Sequence, residues 1–129
     1  MRAALNEPAA RAVVERLLRE AAGRLTDPHH PPGCLAVHGA LTCGEEAEPV
    51  RQALIAQRAA AQTALRDRFE RARSESDLPP EADAADLACY VATLLHGMAV
   101  QAASGATRDE LHGVAETALR AWPTGNRDA

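Results

Sequence analysis

The chain predicts an all-α fold of about five helices, and three observations lead to it. Between Asp86 and Arg108 no residue carries a formal charge. Within that stretch the larger side chains Leu87, Tyr90, Val91, Leu94, Met98 and Gln101 recur at three- and four-residue steps, the spacing of one helix face. Aromatics make up 2% of the sequence, so the interior must be Leu, Val and Ala, which suits close helix packing rather than a β-sandwich. No run elsewhere in the chain offers a strand for another strand to pair with.

In chain order, Met1 to Leu5 is short and expected to fray, and Asn6-Glu7-Pro8 is expected to open the first helix, with Asn6 as its cap and Pro8 in its first turn. Val13, Val14, Leu17, Leu18, Ala21 and Leu25 form that helix's buried stripe. The run Thr26 to Pro32 carries three prolines and cannot be helical. Gly33 to Leu41 is short and apolar, and periodicity alone leaves strand and buried helix open; the lack of a partner strand favours helix.

The longest helix is expected from about Pro49 to Ser76. Val50, Leu54, Ala61, Leu65, Phe69 and Ala72 face inward. Arg51, Arg58, Arg66, Asp67, Glu70, Arg71 and Arg73 face mostly outward. Six arginines between 51 and 73 resemble a phosphate-binding face, but acids at pairing distance make a solvated, mixed-charge face the preferred reading.

Leu78-Pro79-Pro80 ends that helix, and Asp83 starts the central one, which runs to Ser104. Opposite its larger side chains lie Ala85, Ala88, Cys89, Ala92, Ala99, Ala102 and Ala103, a surface another helix can approach closely. Gly105 ends it, and Thr107 with Glu110 reads as a capping box that opens the last helix. That helix lines up Leu111, Val114, Ala115, Ala118, Leu119 and Trp122 before Pro123 and Gly125 stop it. The last two helices are expected to form a tight hairpin. In a lone chain it would leave open either the small-residue face or the Leu111/Ala118/Trp122 stripe, a larger apolar patch than monomers usually expose.

The 129 residues fit one domain, 1–129, with its core at about 8–122. A net charge of −4 and a pI near 5.7 argue against a nucleic-acid surface on this chain, since such domains are usually basic. Glu7 and Pro8 stand where a signal peptide would need an apolar run. Three cysteines without a framework spacing read as reduced thiols, and a cytoplasmic protein is expected. A membrane span over 83–104 is disfavoured by Thr93, His96, Gln101 and many alanines.

Few residues suggest chemistry. Cys34 and His38 lie four apart with His29 and His30 upstream, a pattern a metal site would use. No CxxC or HxxxH spacing supports it, so a satisfied histidine beside a packed thiol is preferred. His96 could polarise a ligand or carry a proton, although a core histidine bonded to a carbonyl is the preferred reading there too. No Ser-His-Asp pattern, carboxylate pair or glycine-rich phosphate loop stands out. No enzyme activity, cofactor or metal is therefore expected.

The strings HPPGCLAVHGALTCG and AEPVRQALIAQRAAAQTALRDRFERARSESDLPPEADAADLACYVATLLHGMAVQAASGATRDELHGVAETALRAW resemble the C-terminal domain of tetracycline-repressor (TetR) family transcriptional regulators. The resemblance runs from about Pro8 to Trp122. Its most specific pieces are Gly33-Cys34-Leu35, Asp77-Leu78-Pro79-Pro80, Gly97-Met98-Ala99-Val100-Gln101 and Ser104-Gly105-Ala106-Thr107, in that order.

The resemblance implies an all-helical domain with a ligand pocket among its middle helices. It also implies that the last two helices pair with those of a second copy as a dimeric four-helix bundle. The expected function is to bind a small, mostly apolar effector and to dimerise within a repressor. The expected pocket residues are Cys34, His38, Leu41, Leu54, Arg58, Ala61, Tyr90 and Leu94, with hydrogen bonds from His38, Arg58 and Tyr90. The expected dimer interface is Gly97, Met98, Gln101, Val114, Ala118 and Trp122, with Gly97 at a close helix crossing. The family's helix-turn-helix would precede the first helix and is not expected within these residues, so DNA would be met only through such a domain. The alternatives are a stand-alone small-molecule-binding protein, a metal sensor built on Cys34, and a small helical enzyme with His38 or His96 as general base.

Overall fold

The structure is a computed structural model and describes residues 1–29 and 48–125. Among the described residues there are helices and turns but no strand. The helices are α1 (Arg2–Leu5), α2 (Ala10–Leu25), α3 (Glu48–Ser74), α4 (Ala84–Ala103) and α5 (Arg108–Arg120). The expected short helix from Gly33 to Leu41 lies outside the described residues.

The chain's start departs from expectation. Met1 to Leu5 does not fray but forms α1, with Ala4 buried, and Asn6 closes that turn instead of opening the next. The first long helix begins at Ala10, and its cap residue Ala9 has no side chain able to accept its free N–H groups. Asp77 does so from across the fold, taking the Ala10 N–H at 2.6 Å. Along α2, Val13, Val14, Leu17, Leu18, Ala21 and Leu25 are all buried, as their spacing requires.

α3 stops two residues short of Ser76. Ser76 takes the left-handed conformation (φ 62°). The Asp77 N–H reaches back to the Ala72 carbonyl and the Ser76 N–H to that of Arg73, the paired bonds that close a helix C-terminus around one left-handed residue. α4 ends in the same way at Gly105 (φ 101°), with Ala106 bonded to Gln101 and Gly105 to Ala102. Asp83 accepts from the Asp86 N–H to start α4, and both halves of the Thr107–Glu110 capping box are formed.

α2 is the centre of the bundle and touches every other helix, while α3 also packs along α4. Leu65, Phe69 and Ala72 of α3 are buried as expected, but Val50 is exposed. The surface pairs Arg51–Glu48, Arg66–Asp67, Arg71–Glu75 and Arg73–Glu70 bear out the solvated face. Arg68 is the exception: it is 5% exposed and gives Nε to the Leu5 carbonyl at 3.1 Å and Nη2 to that of Glu7 at 2.8 Å. This buried cation ties α3 to the turn between α1 and α2.

The last two helices share a tight turn, but α4 packs chiefly along α3 and then α2 while α5 rests on α2, so they do not form the close hairpin expected. Ala84, Ala88, Val91, Met98, Ala99 and Ala102 of α4 turn inward. Leu111, Ala115, Ala118 and Leu119 of α5 do the same, and Trp122 packs on Phe69 with ring centroids 5.3 Å apart. The Leu111/Ala118/Trp122 stripe is closed, whereas the small-residue face of α4 is divided, with Ala88, Ala99 and Ala102 buried and Ala85, Cys89 and Ala103 exposed. The outer surface is a groove between α4 and α5 lined by Tyr90, Leu94, Val114 and Thr117.

Candidate functional site

A cavity of about 300 Å³ lies between α2, α3 and α4. α2 supplies Ala21, Arg24 and Leu25, α3 supplies Gln57, Arg58, Ala61, Gln62 and Leu65, and α4 supplies Ala92, Leu95 and His96. In each helix these positions are three or four apart, so three single faces converge on one space. Met1 also borders it. The wall is largely apolar, with a few polar groups able to orient a ligand.

Two of those polar groups stand out. The Arg58 Nε is buried with no hydrogen-bond partner among the described residues. His96 is held below the ordinary histidine pKa, first by burial and then by the positive charge of Arg58. Both effects favour the neutral ring, so at neutral pH His96 can donate through one nitrogen and accept through the other. No Asp or Glu borders the cavity among its described lining.

The structure divides the residues expected to bind a ligand. Arg58 and Ala61 face the cavity, while Leu54, half-buried one turn before Arg58 on α3, is not among its described lining. Cys34, His38 and Leu41 lie outside the described residues. Tyr90 and Leu94 lie elsewhere, lining the outer groove between α4 and α5, with Tyr90 40% exposed. Ala92 sits two positions, or about 200°, round the helix from Tyr90, so both cannot look into one space. Ala21, Leu25, Leu65, Ala92 and Leu95 were not foreseen as pocket residues, and the signal was the i, i+3, i+4 spacing of Ala92, Leu95 and His96.

Of the residues expected at a dimer interface, Gly97, Gln101 and Val114 are exposed on the outer side of α4 and α5. Met98 and Trp122 belong to the chain's own core, and Ala118 is 2% exposed at the floor of the outer groove. Among the described residues no cluster of His, Cys, Asp and Glu is arranged to hold a metal, and no helix is long and apolar enough to cross a membrane.

Comparison with known proteins gives a consistent result. Residues 9–118 match the family described as the tetracyclin repressor-like C-terminal domain. The HTH-type transcriptional repressor ComR of Escherichia coli (strain K12) is 26% identical over 93 residues, which are 72% of this chain and 44% of that repressor. Two solved structures of cysteine mutants of the TetR family transcriptional regulator CifR, complexed with 26-base-pair operator DNA, are each 43% identical to it. Their TM-scores are 0.83 and 0.87, over 91% and 95% of this chain and 61% and 64% of theirs. The chain thus spans less than two thirds of the length of each of these relatives.

Proposed function

The chain belongs to the tetracycline-repressor family of transcriptional regulators through its C-terminal domain, and on that premise we propose that it is the effector-binding and dimerisation part of such a regulator. The observation that carries this reading is the largely apolar, half-open cavity between α2, α3 and α4. Its volume lies at the lower end of the range of about 300–1,000 Å³ usual for small-molecule sites.

α3 supplies a route from that cavity to the start of the chain. Arg58 borders the ligand space, and ten residues further on Arg68 holds the carbonyls of Leu5 and Glu7. A ligand that favours one position of α3 therefore also favours one position of α1. The shift can be no larger than the ligand's difference in affinity for the two arrangements. Contact with operator DNA, as in the CifR complexes, would fall to a helix-turn-helix on the N-terminal side of α1.

The outer stripe Tyr90, Leu94, Gly97 and Gln101 on α4, with Val114 on α5, is the surface for a second copy, since a self-complementary patch closes on itself through a two-fold axis. Thermal unfolding against a panel of apolar small molecules tests the pocket: the midpoint should rise with ligand concentration as mass action requires. No shift with any compound would overturn it. Light scattering should report about twice the 13.7 kDa chain mass, and a monomer at micromolar concentration would overturn the dimer.

A further inference from the structure

We infer that the cavity between α2, α3 and α4 takes an amphipathic anion, a small carboxylic acid with an apolar tail, whose charged end is held by Arg58. This rests on the cavity being the effector site proposed above and adds the chemistry of its occupant.

The reason lies in how α3 treats its other arginines. Arg51, Arg66, Arg71 and Arg73 each have a carboxylate, and Arg68 has two backbone carbonyls. Among the described residues Arg58 has neither, and its Nε is buried without an acceptor. The positions from which a helix neighbour could reach it are Leu54, Ile55, Ala61 and Gln62, none of them acidic. A buried donor left unpaired is costly, and here the space beside it is the cavity.

The remaining charge around that space has the same sign. Arg24 borders it from α2, and no carboxylate does among the described lining. An ammonium ligand would meet two like charges and no carboxylate among the described lining. A neutral apolar ligand would fill the volume and leave Nε unpaired. A carboxylate accepts from a guanidinium through two parallel bonds, among the strongest pairings available to a side chain. Neutral His96 can donate a further bond to the same oxygens. Leu25, Leu65, Ala92 and Leu95 leave the tail an apolar lining. At roughly 30 Å³ per water-sized group, the cavity has room for about ten non-hydrogen atoms.

Calorimetric titration of the chain near neutral pH with octanoate, 1-octanol, octylamine and acetate tests this. Octanoate should bind about tenfold or more tightly than octanol, with octylamine and acetate weaker still. In Arg58→Gln, checked for helicity by circular dichroism, octanoate should fall to the level of octanol while octanol itself changes little. Arg58→Lys, which keeps the charge and loses the fork, should fall between the two and serves if the glutamine variant does not fold. Equal binding of octanoate and octanol, or a preference that survives Arg58→Gln, overturns the inference and leaves the pocket standing as an apolar site. Acetate binding as tightly as octanoate overturns it in favour of a simple anion site. Absence of binding by all four and by the apolar panel overturns the pocket itself.

Discussion

The carboxylate of Asp77 accepts the backbone N–H of Ala10 at 2.6 Å, across 67 positions of sequence. α2 thus receives its N-terminal cap from the turn that closes α3, because Ala9 has no side chain to offer. The negative charge also sits where the helix dipole favours it. Asp77→Ala should cost about 1 kcal/mol of stability, within the range of about 0.5–2 kcal/mol known for helix caps. Chemical denaturation measures this, and an unchanged midpoint would contradict it.

Arg68 is the joint between α3 and the start of the chain. Arg68→Met keeps much of the packed volume but strands the carbonyls of Leu5 and Glu7. A loss of about 2 kcal/mol is expected for hydrogen bonds made by a charged donor. Hydrogen exchange should show α1 opening well before α2 in the variant. Protection over residues 2–8 equal to that of the wild type would show that α1 is held by its apolar contacts alone.

What the sequence made legible divides along the reach of each interaction. Asp83, Thr107 and Glu110 act within one turn of their own helix, so the starts of α4 and α5 could be read directly. The stripe of α2 was legible because a single central helix buries one whole face. Asp77 on Ala10 and Arg68 on Leu5 are tertiary contacts, and nothing local separates Arg68 from the five other arginines between 51 and 73. Tyr90 and Leu94, expected at the pocket, border the outer groove and not the cavity. Large side chains mark an apolar face, but the buried side of α4 takes from both, with Val91 and Met98 inside beside Ala84, Ala88, Ala99 and Ala102, and it leaves Tyr90 outside. The segment carrying Cys34, His38 and Leu41 lies outside the described residues.

His96 gives the stability a pH dependence of definite sign. Its folded-state pKa lies below the ordinary value of 6.5, so the unfolded chain binds the proton at higher pH than the folded one. Its contribution is therefore complete above about pH 6.5 and is lost as the pH falls from there through the lowered value. The groups facing it across the cavity are Arg24 and Arg58, both positive. Unfolding free energies of wild type and His96→Gln should run parallel above neutrality. Below about pH 6.5 the wild type should lose stability faster. Parallel profiles down to pH 5 would show that His96 does not titrate as placed.

Gly97 offers a clean probe of assembly. A Cβ at this position meets nothing within 4 Å in the lone chain, and the residue is exposed on the outer side of α4. Gly97→Arg should leave helicity intact and convert the proposed dimer to monomer, since it places a charge where a second copy would pack. Ala118→Arg is the poorer choice, because Ala118 is buried within one chain. Size exclusion with light scattering reads the outcome, and a Gly97→Arg variant that stays dimeric would move the interface elsewhere.

The central claim, that the space between α2, α3 and α4 is a ligand site, is tested most directly by filling it. Ala92 borders the cavity from α4, and Ala92→Phe would occupy much of it from within. The measurement is calorimetric titration of wild type and Ala92→Phe with whichever compound raises the wild-type midpoint most. Saturable binding that disappears in Ala92→Phe, with helicity and dimer mass retained, is the predicted result. Equal affinity in the two proteins would contradict it and locate the ligand outside this cavity.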